Sequence, residues 1–229
     1  MPLKKTRGFW FLYMKNFHII TIFPESFDSY LNSSILSRAK NKFLKVKFYN
    51  PRDFTSDKRR KVDTRPYGGE PGMVMQVEPI VKAADKAKRK SQNANSKIII
   101  FSPRGKTFNQ KMARNFAEKY DNFILICGRY EGIDERVKKI LKAEEVSTGD
   151  YVLTGGELPA MVFIDALVRH IPGVLGKYGS LEEIKGSYPV YTRPEIIKWK
   201  NKKYAVPKIL LSGHHKKIKE WREKRGKKV

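Results

Sequence analysis

Three stretches of the sequence combine glycine with carboxylates, hydroxyls and arginine more densely than a plain connector requires. They are RPYGGEPGM (65–73), CGRYEGIDER (127–136) and STGDYVLTGGELPAM (147–161). Glycine permits left-handed backbone and lets a ligand come close to main-chain amides. A pocket lined by backbone N–H and C=O groups can therefore read an adenine and a ribose with few side chains. Each stretch taken singly is as compatible with a turn, whereas three at one end of one sheet indicate a ligand site. Familiar nucleotide signatures are absent. No GxGxxG follows a strand and no GxxxxGK[ST] occurs, which argues against a dinucleotide-binding or P-loop reading. The four histidines, His18, His170, His214 and His215, have no metal-ligand spacing with a partner, so structural or surface roles suit them and no metal site is expected. Cys127 is the single cysteine, which excludes a disulfide framework within the chain and a multi-cysteine zinc site.

The order of apolar segments predicts how these stretches are held. FHIITIF (17–23) reads as a buried strand stopped by Pro24, 25–40 as a helix and 43–49 as a strand. A helix over 78–90 has a cationic last turn, which suits the negative end of its dipole. From Lys97 the pattern repeats: strand 97–101, turn 102–106, helix 109–120, strand 122–127, helix 135–142, strand 144–147, helix 158–170. Apolar strands alternating with helices predict an α/β fold with a parallel sheet. Such sheets bind ligands outside the carboxyl ends of their strands, and the loops 102–106, 128–134 and 148–157 all fall there. Residues 171–194 read as a hinge. One helix is expected at 216–225, with Ile218 and Trp221 on one face.

The chain has 229 residues, 40% of them hydrophobic, enough for one large domain with a small appendage. Its formal charge is +25, from 48 Lys and Arg against 23 Asp and Glu, so a polyanionic partner is expected, nucleic acid first. Lysine is scattered along the whole chain, and compositional bias accounts for a large share of that charge. The tail is the exception in density, with 13 Lys or Arg and 2 Glu over 198–229. No apolar run approaches the roughly 18 residues of a membrane span. The apolar patch at 9–14 is short for a signal peptide and lacks a small-residue cleavage site. A cytoplasmic protein, with no membrane partner, is expected.

The chain resembles the TrmD family of bacterial tRNA (guanine-N1) methyltransferases, within the SPOUT class. The resemblance is carried by FHIITIFPESF (17–27), PRDFTSDKRRKVDTRPYGGEPGMVM (51–75), IFSPRG (100–105), CGRYEGIDER, STGDYVLTGGELPAMVFIDALVRHIPGVLG (147–176), YTRPE (191–195) and LLSGHHKKIKEWR (210–222). It implies a deep trefoil knot in the C-terminal half of a parallel-sheet SPOUT domain, spanning 14–176. A basic extension (1–13) would precede it. An interdomain linker (177–190) and a short, truncated, α-helical tRNA-binding domain (191–229) would follow. The resemblance further implies S-adenosyl-L-methionine as methyl donor, suggests Mg2+, and implies tRNA as substrate and a homodimer with a composite active site. The target would be N1 of the guanine at tRNA position 37, next to the anticodon.

Residue by residue, the family's cofactor pocket falls on Ile100, Phe101, Ser102, Pro103, Gly128, Tyr130, Glu131, Gly132, Thr148, Gly149, Asp150, Tyr151, Val152, Leu153, Gly155 and Gly156. Asp63 and Arg65 fall where the family contacts the target guanine and its neighbour, and Ser180 aligns with a substrate-side serine. Arg169 matches the catalytic arginine. N1 of guanine carries a proton at neutral pH, so a base must remove it as the methyl arrives. A guanidinium aimed at O6 stabilises the charge that then develops. The family's usual base is an aspartate in an S-x-x-x-D-S-F stretch. Here the segment reads KYGSLEEIKGSYPVYTRPE, with Ile184 at the aspartate position. Glu183 is the nearest candidate, and Glu182 the second.

Two other readings compete: a non-catalytic basic RNA-binding protein, and a SPOUT methyltransferase acting on another RNA site. The first leaves the glycine loops, Arg169 and the acidic residues Glu131, Asp134, Asp150 and Glu157 without a purpose. RPYGGEPGM disfavours the second.

Overall fold

The computed structural model describes residues 14–40, 42–91, 95–175 and 186–226. Ser180, Glu182 and Glu183, and the extension 1–13, lie outside the described residues. The chain divides into two compact units, Met1–Leu175 and Gly176–Val229.

The first unit is built on five parallel strands, β1 (Lys15–Ile20), β2 (Leu44–Tyr49), β5 (Ser96–Thr107), β6 (Asn122–Ile126) and β7 (Glu144–Ser147), in the order β2-β1-β6-β5-β7. β6, NFILI, is buried at every position because both faces of the sheet are covered. Its residues alternate between two cores. Phe123 and Leu125 join Phe17, Ile19, Phe101, Phe116 and Phe163 on one side. Ile124 and Ile126 join Ile20, Ile80, Ala83, Ala87 and Val137 on the other. The first core is roofed by α4 (Gln110–Lys119) and α6 (Glu157–Val168), the second by α3 (Val77–Lys90) and α5 (Glu135–Leu141). The fold class is α/β with a parallel central sheet, as the alternating pattern predicts.

Three expectations are corrected. The single helix over 25–40 is broken into a 3-10 turn (Pro24–Phe27), α1 (Asp28–Leu31) and α2 (Ser34–Ala39). Ser33 Oγ donates to Tyr30 O at 3.0 Å, and Ser34 takes φ +48°. Serine hydroxyls competing for the backbone outweigh the apolar spacing there. The turn at 102–106 is instead part of β5, which bulges so that Phe101 and Lys106 both face Val146 of β7. Finally, the second unit is not purely helical. It carries an antiparallel ribbon, β8 (Ile196–Trp199) and β9 (Lys202–Ala205), before α7 (Lys208–Leu211) and α8 (His215–Arg225). Ile196, Ile197, Trp199 and Tyr204 are β-favouring residues, and the lysines interspersed among them hide the pattern in the sequence. In α8, Ile218 and Trp221 are the partly covered positions, and the Trp221 ring lies 6.3 Å from that of Tyr191.

Candidate active site

A cavity of about 530 Å³ opens at the carboxyl ends of β5, β6 and β7. Its wall contains Ile100, Phe101, Ser102 and Pro103 from β5, Gly128, Tyr130, Glu131 and Gly132 after β6, and Thr148, Tyr151, Val152, Leu153, Gly155 and Gly156 after β7. Residues from three separate stretches of sequence thus meet in one wall. Gly149 and Asp150 are not in it.

The backbone of the wall is held in place from behind. Gly156 N–H donates to Gly128 O at 2.9 Å, and a Cβ on Gly156 would stand 2.6 Å from Cys127 Cα. Only glycine lets the β7–α6 loop lie this close to the end of β6. Gly132 has φ +120° and open space where a Cβ would project. The Cys127 thiol is buried behind the wall, and burial pushes its pKa well up, so it is no nucleophile.

Charges at the wall are largely neutralised by one another, which corrects the expectation of an acidic cluster. Asp134 caps α5 by accepting from Arg136 N–H at 2.9 Å. Its hydrogen bond to the Arg136 side chain holds its carboxyl below the usual range against the effect of burial. Glu157 is buried beside Arg129. Four charged wall residues, Arg104, Arg129, Lys138 and Glu145, are not among the residues expected to line the pocket, although Arg104 and Arg129 fall within the IFSPRG and CGRYEGIDER stretches. Burial pushes the Glu145 carboxyl up. The Lys138 hydrogen bond at 2.6 Å, with the charges of Lys138 and Arg104, outweighs this and holds it below its ordinary value. These partners lie 7 and 41 residues from Glu145, and no local pattern marks the pairing.

The third glycine stretch is tied to the same wall. In the small ribbon β3 (Asp63–Thr64) and β4 (Val74–Met75), Asp63 faces Met75. Glu131 N–H donates to Met73 O at 2.9 Å, Met75 N–H to Gly132 O at 3.0 Å and Asp134 N–H to Met75 O at 3.1 Å. Asp63 therefore sits one strand from the loop that carries Glu131 and Gly132. Arg65 is exposed at the start of the 65–72 loop, where Gly68, Gly69 and Gly72 all take positive φ.

Arg169 is placed elsewhere. It caps the C-terminal end of α6, its N–H bonded to Asp165 O at 3.3 Å. The N-terminal end of α6 carries the wall residues Gly156 and Pro159. Arg169 lies twelve positions after Glu157, about 18 Å along the axis. Among the described residues, no helix is long and apolar enough to cross a membrane.

The sheet and its cavity define an α/β protein with a candidate ligand site at the strand carboxyl ends, whose wall includes four glycines. Its relatives make the class specific. The family described as tRNA (Guanine-1)-methyltransferase TrmD matches residues 14–228, and the chain belongs to that family. A protein of Dictyoglomus turgidum named tRNA (guanine-N(1)-)-methyltransferase is 51% identical over 217 residues, covering 92% of this chain and 84% of its own. One of the same name from Carboxydothermus hydrogenoformans is 50% identical over 212 residues, 90% of this chain and 80% of its own. A third, from Clostridioides difficile, is 48% identical over 90% of both chains.

Proposed function

We propose that the chain transfers a methyl group from S-adenosyl-L-methionine to N1 of the guanine at position 37 of tRNA, in the cytoplasm. The observation that carries this reading is the composite wall, in which fourteen of the sixteen expected cofactor residues line one cavity. The residues suit that donor. Ile100, Phe101, Ile133, Val152 and Leu153 offer apolar surface to an adenine, and the glycine backbone offers N–H and C=O groups. The Glu131 carboxylate suits ribose hydroxyls or a sulfonium charge. When bound, the donor supplies an electrophilic methyl group. The chain must hold the guanine in line, take the N1 proton and stabilise the charge developing on O6. Asp63, Arg65 and Ser180 are assigned to holding the base. Glu183 is assigned to the proton and Arg169 to the charge.

The distance of Arg169 from the cavity along α6 supports a site shared between two copies of the chain. So does the surface of α6, where Leu158 and Val162 are 55% and 48% exposed, one turn apart. A helix apolar on several faces is normally covered on all of them, and a homodimer would cover these. A deep trefoil knot is also part of the proposal.

The test is methyl transfer from labelled S-adenosyl-L-methionine to unmodified tRNA transcripts with guanine at position 37, beside transcripts with adenine there. Transfer to the guanine transcripts alone, mapped to N1, is expected. Tight tRNA binding without transfer would favour a binding protein instead.

A further inference from the structure

Two ion pairs join β5 to β7 in different surroundings. Lys97 pairs with Glu144, and neither residue is in the cavity wall. Arg104 pairs with Glu145, and both are. Arg104 Nη2 lies 3.4 Å from Glu145 Oε1 and 3.1 Å from Glu135 Oε2. Lys138 Nζ lies 2.6 Å from the other oxygen of Glu145 and 3.7 Å from the other oxygen of Glu135. Two cations and two carboxylates thus alternate in a closed ring that links β5, α5 and β7, and all four belong to the wall. Glu135 and Lys138 alone, three apart on α5, would be an ordinary solvated helix pair. Arg104 does not fit that account. It reaches partners 31 and 41 residues away, and its side chain is 73% exposed, where ion pairs add little to stability.

The β5 bulge gives Arg104 a purpose. Phe101 and Lys106 both face Val146, so residues 102–105 stand out of the β5–β7 ladder. A bulged segment lacks the regular cross-strand bonds that fix a strand. Ser102 and Pro103 of this segment are wall residues, and both are among those expected to touch the cofactor. The ring supplies the missing hold. Arg104 ties the segment to α5 and β7, and the Ser102 hydroxyl hydrogen-bonds to the Glu145 carboxylate.

We infer that Arg104 and Glu145 are positioning residues for the cofactor, members of a ring of charges that holds the 102–105 bulge in the cavity wall. The inference rests on the cavity being the S-adenosyl-L-methionine site and adds what fixes one side of it. A segment ordered before the ligand arrives removes an ordering cost from binding.

The test is calorimetric binding of S-adenosyl-L-methionine to the full chain at low and high salt. Arg104→Ala and Glu145→Gln should each weaken binding about fivefold. The double variant should lose about as much as either single one, rather than about twenty-five-fold, because both break the same ring. Arg104→Lys should recover part of the affinity, since a cation remains. Wild-type binding should weaken with salt more steeply than binding by the double variant, because salt screens exposed charge pairs. In methyl transfer the change should appear mainly in the KM for the cofactor rather than in kcat. Glu144→Gln breaks the other β5–β7 pair and is the control for a purely structural effect. It should bind the cofactor like wild type. The inference is overturned if Arg104→Ala and Glu145→Gln bind like wild type, which would leave the assignment of the cavity standing. It is also overturned if Glu144→Gln weakens binding as much as they do. A wild-type chain that does not bind S-adenosyl-L-methionine would overturn the assignment of the cavity and this inference with it.

Discussion

Arg129 Nε lies 2.9 Å from Glu157 Oε2, and the other oxygen of Glu157 accepts from Thr21 Oγ1 at 2.7 Å. The Arg129–Glu157 contact is a charge contact rather than an aligned hydrogen bond. Arg129 also donates to Thr154 O at 3.2 Å and lies over the Phe23 ring at 4.6 Å. One ion pair therefore joins the end of β1, the loop after β6 and the start of α6, and it fixes a carbonyl of the cavity loop.

Removing one member of a buried pair strands the other charge, at about 3–5 kcal/mol. The Arg129 side chain is 23% exposed and that of Glu157 3%, so the lower end applies. Arg129→Ala should lower stability by about 3 kcal/mol in denaturant melts and weaken cofactor binding in calorimetry. Arg129→Lys should do less of both. An unchanged midpoint in the alanine variant would mean that the pair holds nothing.

Gly105 and Gly156 test the close backbone approaches. A Cβ on Gly105 would stand 2.5 Å from Val146 N, and one on Gly156 2.6 Å from Cys127 Cα. Backbone atoms cannot rotate away as a side chain can. Alanine at either position should cost about 3 kcal/mol, the upper end for overpacking. Gly69→Ala is the control for space, since nothing lies within 4 Å of its Cβ position, although its φ of +82° still carries some strain. Thermal melts that rank Gly69→Ala as the most damaging would contradict this account.

His18 predicts a pH dependence. It is buried in β1 with Nδ1 2.9 Å from Tyr49 Oη. Burial, then the charges of Lys47 and Lys90, lower its pKa from 6.5 to about 4. The folded pKa is below the unfolded one, so the unfolded chain binds the extra proton in that window. The stability from neutral His18 is complete above pH 6.5 and is lost as pH falls toward about 4. Its size is on the order of 3 kcal/mol. His18→Gln should be less stable at neutral pH, yet its melting temperature should fall less on acidification than that of wild type. Parallel curves for the two proteins would assign the acid limb to other groups.

Arg169→Ala should cut turnover by two or more orders of magnitude, as loss of an oxyanion donor does, with cofactor affinity nearly intact because Arg169 is remote from the cavity within one chain. Equal collapse of cofactor affinity would remove its assigned role. In mixed dimers, a chain with Arg169→Ala and a chain with a blocked cavity, Gly132→Val, should regain activity if the site is shared. Glu183→Gln should be slower than Glu182→Gln, and near-wild-type rates in both would move the base elsewhere.

Much of the site is readable from sequence because it is built of local signals. Apolar runs such as NFILI mark strands buried on both faces, and glycine clusters directly after them mark loops at the carboxyl ends. Parallel topology then leaves those loops only one end of the sheet at which to meet. What stays hidden depends on pairings between residues far apart in the chain. Glu157 reads as a free carboxylate until Thr21, 136 residues away, and Arg129 are seen to claim both its oxygens. Glu145 finds Arg104 across 41 residues. The β8–β9 ribbon escapes a reading of the sequence because lysines interrupt its apolar pattern, and only cross-strand pairing reveals which residues share a face. Periodicity and glycine placement are properties of neighbouring residues, so the sequence alone determined the layers and the end of the sheet at which the glycine loops gather. Charge pairing and the separation of Arg169 from the cavity are set by distances in space, and those the tertiary structure decided.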